Sequence, residues 1–147
     1  MRLLRMLPLP LLLAALLFAA GAAPVSAQEL DQALNRVAAA WHRGDAGSIS
    51  GLGTRAGISL DIDGSSVGPL GPRQAAAVLR RVFEERESVS AKSNMSRQVG
   101  GSPTRAFGEI TWTAKARGTT IPERATVFVA FVRDRDGWRI TEIRLLR

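Results

Sequence analysis

The chain has 147 residues, a formal net charge of +7, one histidine, and neither cysteine nor tyrosine. The missing cysteine excludes thiol nucleophiles and disulfides, and the single histidine excludes sites that need two, which covers most zinc hydrolase designs. Arginine supplies most of the positive charge, but it is scattered and forms no run of five like charges. This pattern favours a solvated surface over binding of nucleic acid or anionic lipid, which remains a third alternative.

The first 27 residues have the pattern of a secretory signal peptide. A basic start precedes an apolar run over residues 7–20, and Val-Ser-Ala at positions 25–27 offers small residues for cleavage. We predict cleavage after Ala27, which leaves residues 28–147 as a single domain, exported to the periplasm or the exterior of a bacterium. The alternative is an uncleaved anchor, but prolines interrupt the apolar run, and it is shorter than the roughly 20 residues that span a bilayer.

Three segments have the periodicity or the end signals of helices. Residues 29–43 place apolar side chains at helical spacing on one face, and Gly44 follows as a stop signal. Asp45 is a suitable N-cap for a short second helix over residues 46–52. The third helix, residues 72–86, begins with proline at its first position, where a missing N–H costs nothing.

Strand composition dominates most of the remaining chain. Residues 57–62 alternate apolar and polar side chains, and the Asp-Gly pair at 63–64 turns them into a short partner at residues 65–68. Residues 88–99 form a polar strand whose charges are typical of a sheet edge.

The C-terminal third, residues 104–147, predicts an antiparallel meander of three strands rich in β-branched and aromatic residues. Helices toward the front and strands behind indicate an α+β domain. We therefore predict a curved antiparallel sheet of about six strands, wrapped around three helices on the N-terminal side.

The order of these elements and four short motifs resemble the nuclear transport factor 2-like superfamily, also called SnoaL-like or ketosteroid-isomerase-like. The motifs are AAWHRGD at the end of the first helix, LDIDG on the first strand, GPRQAAAVLRRVF on the long helix, and DGWRITEIRLL at the close. The resemblance implies a cone, or cystatin-like roll, with a pocket between sheet and helices. The chain looks most like the small exported members known as domains of unknown function.

The resemblance also directs attention to acid–base chemistry. Isomerases of the superfamily pair an aspartate near the first strand with hydrogen-bond donors for an oxyanion, and Asp61 lies near that place. The family's tyrosine donor has no counterpart, because the chain contains no tyrosine. Arg97, Glu109 and Glu142 are candidates for the relay of other members. Strict alternation gives Glu142 the same face as Trp138, so we expect a β-bulge or an exposed outer position there.

Five residues are candidates for lining a ligand pocket: Trp41, Asp61, Met95, Trp112 and Phe128. Trp112 alternates with small neighbours, which fits either a pocket wall or ordinary packing of large against small side chains. The segment TVFVAFV is apolar on both faces, so either something packs on its second face, such as a second copy of the chain, or the curl of the sheet encloses the strand. The first alternative predicts a homodimer through the outer sheet face. His42 is interpreted as a solvated residue at a helix end.

The sequence favours an exported, non-enzymatic module that binds a small apolar ligand or a protein partner, without a cofactor or a metal. The alternative is a small lyase, isomerase or hydrolase that acts on an apolar substrate with Asp61 as general base. Nucleic acid is not expected as a partner.

Overall fold

A computed structural model describes residues 25–147. This part of the chain forms three helices and six strands: α1 (Val25–His42), α2 (Ala46–Gly51), β1 (Ile58–Ile62), β2 (Ser65–Leu70), α3 (Pro72–Glu85), β3 (Arg86–Gly100), β4 (Arg105–Ala116), β5 (Glu123–Asp134) and β6 (Gly137–Leu146). The predicted signal peptide lies outside the described residues, apart from positions 25–27, which open α1. Among the helices described, none combines the length and the apolar character of a membrane span.

The six strands form one curved sheet in the order β2-β1-β6-β5-β4-β3. Four of the five neighbouring pairs are antiparallel, as predicted, but β1 runs parallel to β6. A parallel pair needs a long connection, and the chain from β2 through β5 provides it. The α+β class is therefore confirmed, with a mixed sheet in place of a purely antiparallel one.

The hairpin between β1 and β2 forms where the Asp-Gly signal predicts it. Ile62 pairs with Ser65, so Asp63 and Gly64 make a two-residue loop. Both loop residues have positive φ, 52° and 87°, as a type I′ turn requires. Aspartate and glycine tolerate this conformation better than most residues, and the turn thereby fixes the strand register.

The short helix α2 depends on its cap. Asp45 lies at the N-cap, and its carboxylate accepts hydrogen bonds from the Ser48 N–H at 3.0 Å and from the Ser48 hydroxyl at 2.6 Å. These bonds satisfy a backbone donor that the first turn would otherwise leave free. Because two glycines weaken α2, the cap matters more here than in a long helix.

Replacing Asp45 with alanine is expected to lower the melting temperature at neutral pH by about 2–4 °C, because the cap is lost. The two bonds from Ser48 lower the pKa of Asp45 below its ordinary value of 3.8. A group with a depressed pKa stabilises the fold above its ordinary pKa, and this stabilisation is lost as the pH falls through the lowered value. Melting curves of both proteins should therefore converge in acid. Asp45→Asn keeps a capping side chain that does not titrate, so its melting temperature should not converge with that of the alanine variant in acid. If the melting temperatures of wild type and the alanine variant still differ in strong acid, the assignment is wrong.

Strand β3 lies at one edge of the sheet, as its polarity predicts. Its pairing with β4 shifts register three times, and each shift leaves one extra residue on β3: Val89, Asn94 and Val99. Such β-bulges bend a strand and increase its twist. The bends carry β3 over α1, where Ser93 donates to Asn35 at 2.5 Å and Ser96 donates to Asp31.

A bulge between β5 and β6 decides the orientation of β6. Ala130 pairs with Glu142 and Phe131 pairs with Ile140, so Thr141 is the extra residue. Ile140 and Ile143 are both buried against the helices, whereas Glu142 lies on the opposite face. The expectation of a bulge or an outer position for Glu142 is confirmed.

Candidate functional site

The inner face of the sheet, which packs against the helices, is filled by aromatic side chains. Trp41 from α1, Phe83 from α3 and Trp112 from β4 meet edge to face, with ring centroids 5.1, 5.6 and 6.2 Å apart. Trp41 and Trp112 are both fully buried. Of the two interpretations left open for Trp112, packing is the one that these contacts support.

Glycine makes this tight packing possible next to Trp112. A Cβ atom at Gly108 would lie 2.6 Å from a methyl carbon of Leu34, closer than any real contact. The absent side chain lets α1 approach β4 directly. The space in which the resemblance implies a pocket is therefore occupied at this level by the protein's own side chains.

Asp61 and Phe128 lie on the other side of the sheet, called the outer face below. The Asp61 carboxylate accepts hydrogen bonds from the Gly64 N–H at 3.1 Å and from the Ser66 hydroxyl at 3.0 Å. Both donors belong to the β1–β2 hairpin, so the carboxylate is engaged in holding that turn. The arrangement resembles an ordinary turn contact rather than a base directed at a substrate.

Met95 is exposed on the edge strand β3, and it pairs with Glu109 across β3 and β4. The five predicted pocket residues thus fall on opposite faces of the sheet. Trp41 and Trp112 belong to the core, whereas Asp61 and Phe128 lie on the outer face with Met95 beyond them.

The outer face carries a groove that contains two of the residues singled out in the sequence, Phe128 and Glu142. Its cavity has a volume of about 380 Å³ and is lined by Phe107, Phe128, Ala130, Glu142, Arg144 and Leu146. A second depression of about 370 Å³ adjoins it and shares Phe107, Ala130 and Glu142. Together they form the outer-face groove. Alternation along β4 could have revealed Phe107, because it falls on the face opposite Trp112.

Charges flank the apolar centre of this groove. Arg144 donates to Glu142 at 2.5 Å, and this bond raises the pKa of the Arg144 guanidinium above its ordinary value. Strand pairing places Glu109, Phe128 and Arg144 side by side on β4, β5 and β6. From β4 to β6, the row therefore consists of a negative, an apolar and a positive side chain.

A second polar arrangement lies at one end of the sheet, where the β1–β2 hairpin loop is close to the C-terminal end of β6. Asp63 Oδ2 accepts hydrogen bonds from Arg86 Nη2 at 3.0 Å and Arg147 Nη2 at 2.8 Å. The Arg86 guanidinium also lies over the Trp112 ring, 5.6 Å from its centroid, and its side chain is only 12% exposed. We call this arrangement the mouth cluster.

His42 is exposed, as predicted, but it is not isolated. Its Nδ1 lies 3.1 Å from the Ser88 hydroxyl, which also accepts a hydrogen bond from Trp112 Nε1 at 3.0 Å. The contact ties the end of α1 to the start of β3. Within residues 25–147, no three histidine or acidic side chains come together as a metal site requires.

Comparison with known proteins establishes the fold. No protein-family model matches the sequence, and no curated protein matches it either. Among solved structures, a ketosteroid isomerase-like protein from Erwinia carotovora atroseptica is 17% identical, with a TM-score of 0.66 over 84% of this chain and 96% of that one. A DUF4783 family protein from Bacteroides uniformis is 15% identical, with a TM-score of 0.64 over 77% and 94%.

A third structure is a hypothetical protein with a ketosteroid isomerase-like fold from Catenulispora acidiphila, in complex with trimethylamine. It is 15% identical, with a TM-score of 0.63 over 79% of this chain and 85% of that one. The resemblance to the nuclear transport factor 2-like superfamily is thereby confirmed as a likeness of fold. At these identities the comparisons show the fold alone, so the function has to be inferred from the residues of this chain.

Proposed function

We propose that this protein is an exported, non-enzymatic interaction module that forms a homodimer through its outer sheet face. The observation that carries the proposal is the outer-face groove, in which Phe107 and Leu146 remain nearly half exposed beside Phe128 and Ala130. Exposed large apolar side chains grouped on one face are typical of protein contact sites. Export rests on the signal-peptide pattern of the first 27 residues.

The charge pattern of the outer face favours a second copy of this chain as the occupant. Strands β4 and β6 flank β5 on opposite sides, so a two-fold axis along β5 would bring the two Phe128 side chains together. The same axis would set Glu109 of each copy opposite Arg144 of the other. A two-fold interface uses every contact twice, and opposite charges at its rim favour this register over others.

The filled interior supports a surface role over an internal ligand site. The contacts among Trp41, Phe83 and Trp112 use the space that an apolar substrate would need. Asp61, the candidate base, lies on the outer face and is occupied by its own hairpin. We therefore place recognition on the outer face and assign Asp61 to the turn.

A second candidate is the binding of a small apolar ligand in the same groove. Its volume of about 380 Å³ falls within the range of small-molecule sites, and four of its six lining residues are apolar. The trimethylamine complex of the Catenulispora protein is a precedent for small-ligand binding on this fold. A native mass spectrum of protein taken from its host's envelope would separate the two, because a ligand adds a defined mass to the subunit.

Replacing Phe107 with glutamate tests the homodimer. We expect the dissociation constant of the dimer to rise about 30-fold or more, because the change buries a charge in the apolar centre of the interface. Sedimentation velocity over a range of protein concentrations measures this change.

Ile121→Glu is the matched control. Ile121 is 75% exposed in the loop before β5, outside the groove, and it undergoes the same change from apolar to acidic. Its dimer should be unaffected. The homodimer is refuted if wild-type protein sediments as a monomer at every concentration, or if both variants weaken association equally.

A further inference from the structure

We infer that Asp136, in the hairpin between β5 and β6, is a site of spontaneous isoaspartate formation, and that the fold protects Asp63 from the same modification. The chain contains two Asp-Gly pairs, at positions 63–64 and 136–137. Each pair lies at the tight turn of a hairpin. The inference is independent of the outer-face groove and of any partner.

The reaction needs only the aspartate, the peptide nitrogen that follows it, and water. The nitrogen attacks Cγ of the protonated side chain, a C–N bond forms, and the hydroxyl group leaves as water with the proton from the nitrogen. One water molecule then opens the resulting succinimide ring at either carbonyl, which gives aspartate or isoaspartate. Glycine favours the first step, because it has no Cβ atom to obstruct its nitrogen. In isoaspartate the main chain runs through Cγ and is one carbon longer.

The two glycines do not distinguish the two pairs. Gly64 and Gly137 both have positive φ, 87° and 108°. No atom of a more distant residue lies within 4 Å of the position of a Cβ atom at either glycine. A difference in reactivity must therefore come from how each aspartate, and the nitrogen that follows it, is held.

The mouth cluster holds Asp63 away from this reaction. Asp63 Oδ2 accepts hydrogen bonds from Arg86 Nη2 at 3.0 Å and from Arg147 Nη2 at 2.8 Å. The nucleophile is engaged as well, because the Gly64 N–H donates to Asp61 Oδ1 at 3.1 Å. Before the ring can close, the carboxylate must leave two guanidinium groups and the N–H must leave its acceptor. Both changes require the hairpin to open locally, which the folded state disfavours.

The Asp136 carboxylate is held far less firmly. Its side chain is 70% exposed, against 32% for Asp63. Within residues 25–147 it accepts no hydrogen bond and forms one ion pair, with Arg139 Nη2 at 3.8 Å, which is beyond the range of a hydrogen bond. The Asp136 N–H does donate to Asp134 Oδ1 at 2.8 Å, but this bond acts on the main chain and does not restrain the carboxyl group. The side chain can therefore turn toward the Gly137 nitrogen without first breaking a strong contact.

Prolonged incubation of the folded protein at neutral pH, followed by tryptic peptide mapping, tests the inference. Arginines at positions 55, 73, 133 and 139 flank the two pairs and place them in separate peptides. Isoaspartyl and aspartyl peptides have the same mass but are separated by chromatography. We expect about tenfold more isoaspartate at Asp136 than at Asp63, because Asp63 must first break two charge-assisted hydrogen bonds. In protein unfolded with urea, the two positions should react to a similar extent.

Two variants should change one position each. Arg147→Gln removes one of the bonds to Asp63, so isoaspartate at Asp63 should rise about threefold, as expected for a partly exposed ion pair. Gly137→Ala places a Cβ atom beside the attacking nitrogen and should remove most of the isoaspartate at Asp136. Arg80→Gln, on the exposed side of α3, is the matched control for Arg147→Gln and should change neither position.

The comparison of folded with unfolded wild-type protein decides the inference without any variant. It is overturned if the folded protein forms as much isoaspartate at Asp63 as at Asp136, or if the ratio between the two positions is the same in the folded protein as in urea. It is also overturned if Asp136 reacts in urea but not in the folded protein.

Discussion

Replacing Trp112 with alanine is expected to lower the free energy of unfolding by about 3–5 kcal/mol, the range for deleting a large buried aromatic side chain. The indole is fully buried, meets Trp41 and Phe83 edge to face, donates to Ser88, and lies under the Arg86 guanidinium. Alanine removes all of these contacts and leaves a cavity that the surrounding sheet fills poorly. Because domains of this size have a total stability of about 5–15 kcal/mol, the variant should lose a large share of its stability.

Trp112→Phe is the graded control for this prediction. It keeps an aromatic ring against Trp41 and Phe83 but loses the hydrogen bond to Ser88. In urea unfolding followed by circular dichroism, Trp112→Phe should lose less than half of the free energy of unfolding that Trp112→Ala loses. Equal losses for the two variants would mean that the hydrogen bond, rather than ring packing, carries the contribution of Trp112.

Replacing Gly57 with alanine is expected to destabilise the fold through the backbone. Gly57 has φ +99°, and a Cβ atom there would lie 2.5 Å from the carbonyl oxygen of Leu70. The conformation alone costs about 1–3 kcal/mol for a residue other than glycine. The clash adds a similar amount, because Leu70 belongs to β2 and its backbone cannot move without disturbing the pairing with β1.

Gly137→Ala separates the two contributions. Gly137 has a similar φ of +108°, but no atom lies within 4 Å of the position of its Cβ. The decrease in its free energy of unfolding, measured in urea, should therefore reflect backbone conformation alone. It should be clearly smaller than the decrease for Gly57→Ala. If the two variants lose the same free energy of unfolding, the steric clash with Leu70 contributes nothing, and this part of the prediction is wrong.

Local signals explain why much of the fold could be predicted from the sequence. The Asp63-Gly64 turn, the Asp45 cap and the start of α3 at Pro72 are each specified by neighbouring residues, and each was found where expected. The parallel pairing of β1 with β6 has no such signal. It joins Ser59 to Glu142, which lie far apart in the sequence, so no local pattern specifies their pairing.

The candidate site was less predictable for the same reason. The outer-face groove combines Phe107 and Leu146 from strands that are not neighbours in the sheet, so no local pattern marks it. The apolar character of TVFVAFV on both faces predicts a contact on the outer side of β5, and this contact is still a prediction. The mouth cluster combines a turn residue with Arg86 and Arg147, and alternation within a strand cannot specify such a meeting.

The bulges of β3 limit how copies of this protein can meet. An unbroken edge strand presents a regular ladder of free N–H and C=O groups, which can template a foreign strand and start a fibril. On β3 the extra residues Val89, Asn94 and Val99 interrupt that ladder at every fifth position, and on the opposite edge Pro69 removes a donor from β2. Both margins of the sheet are therefore unsuited to lengthwise growth, and copies that associate must do so face to face.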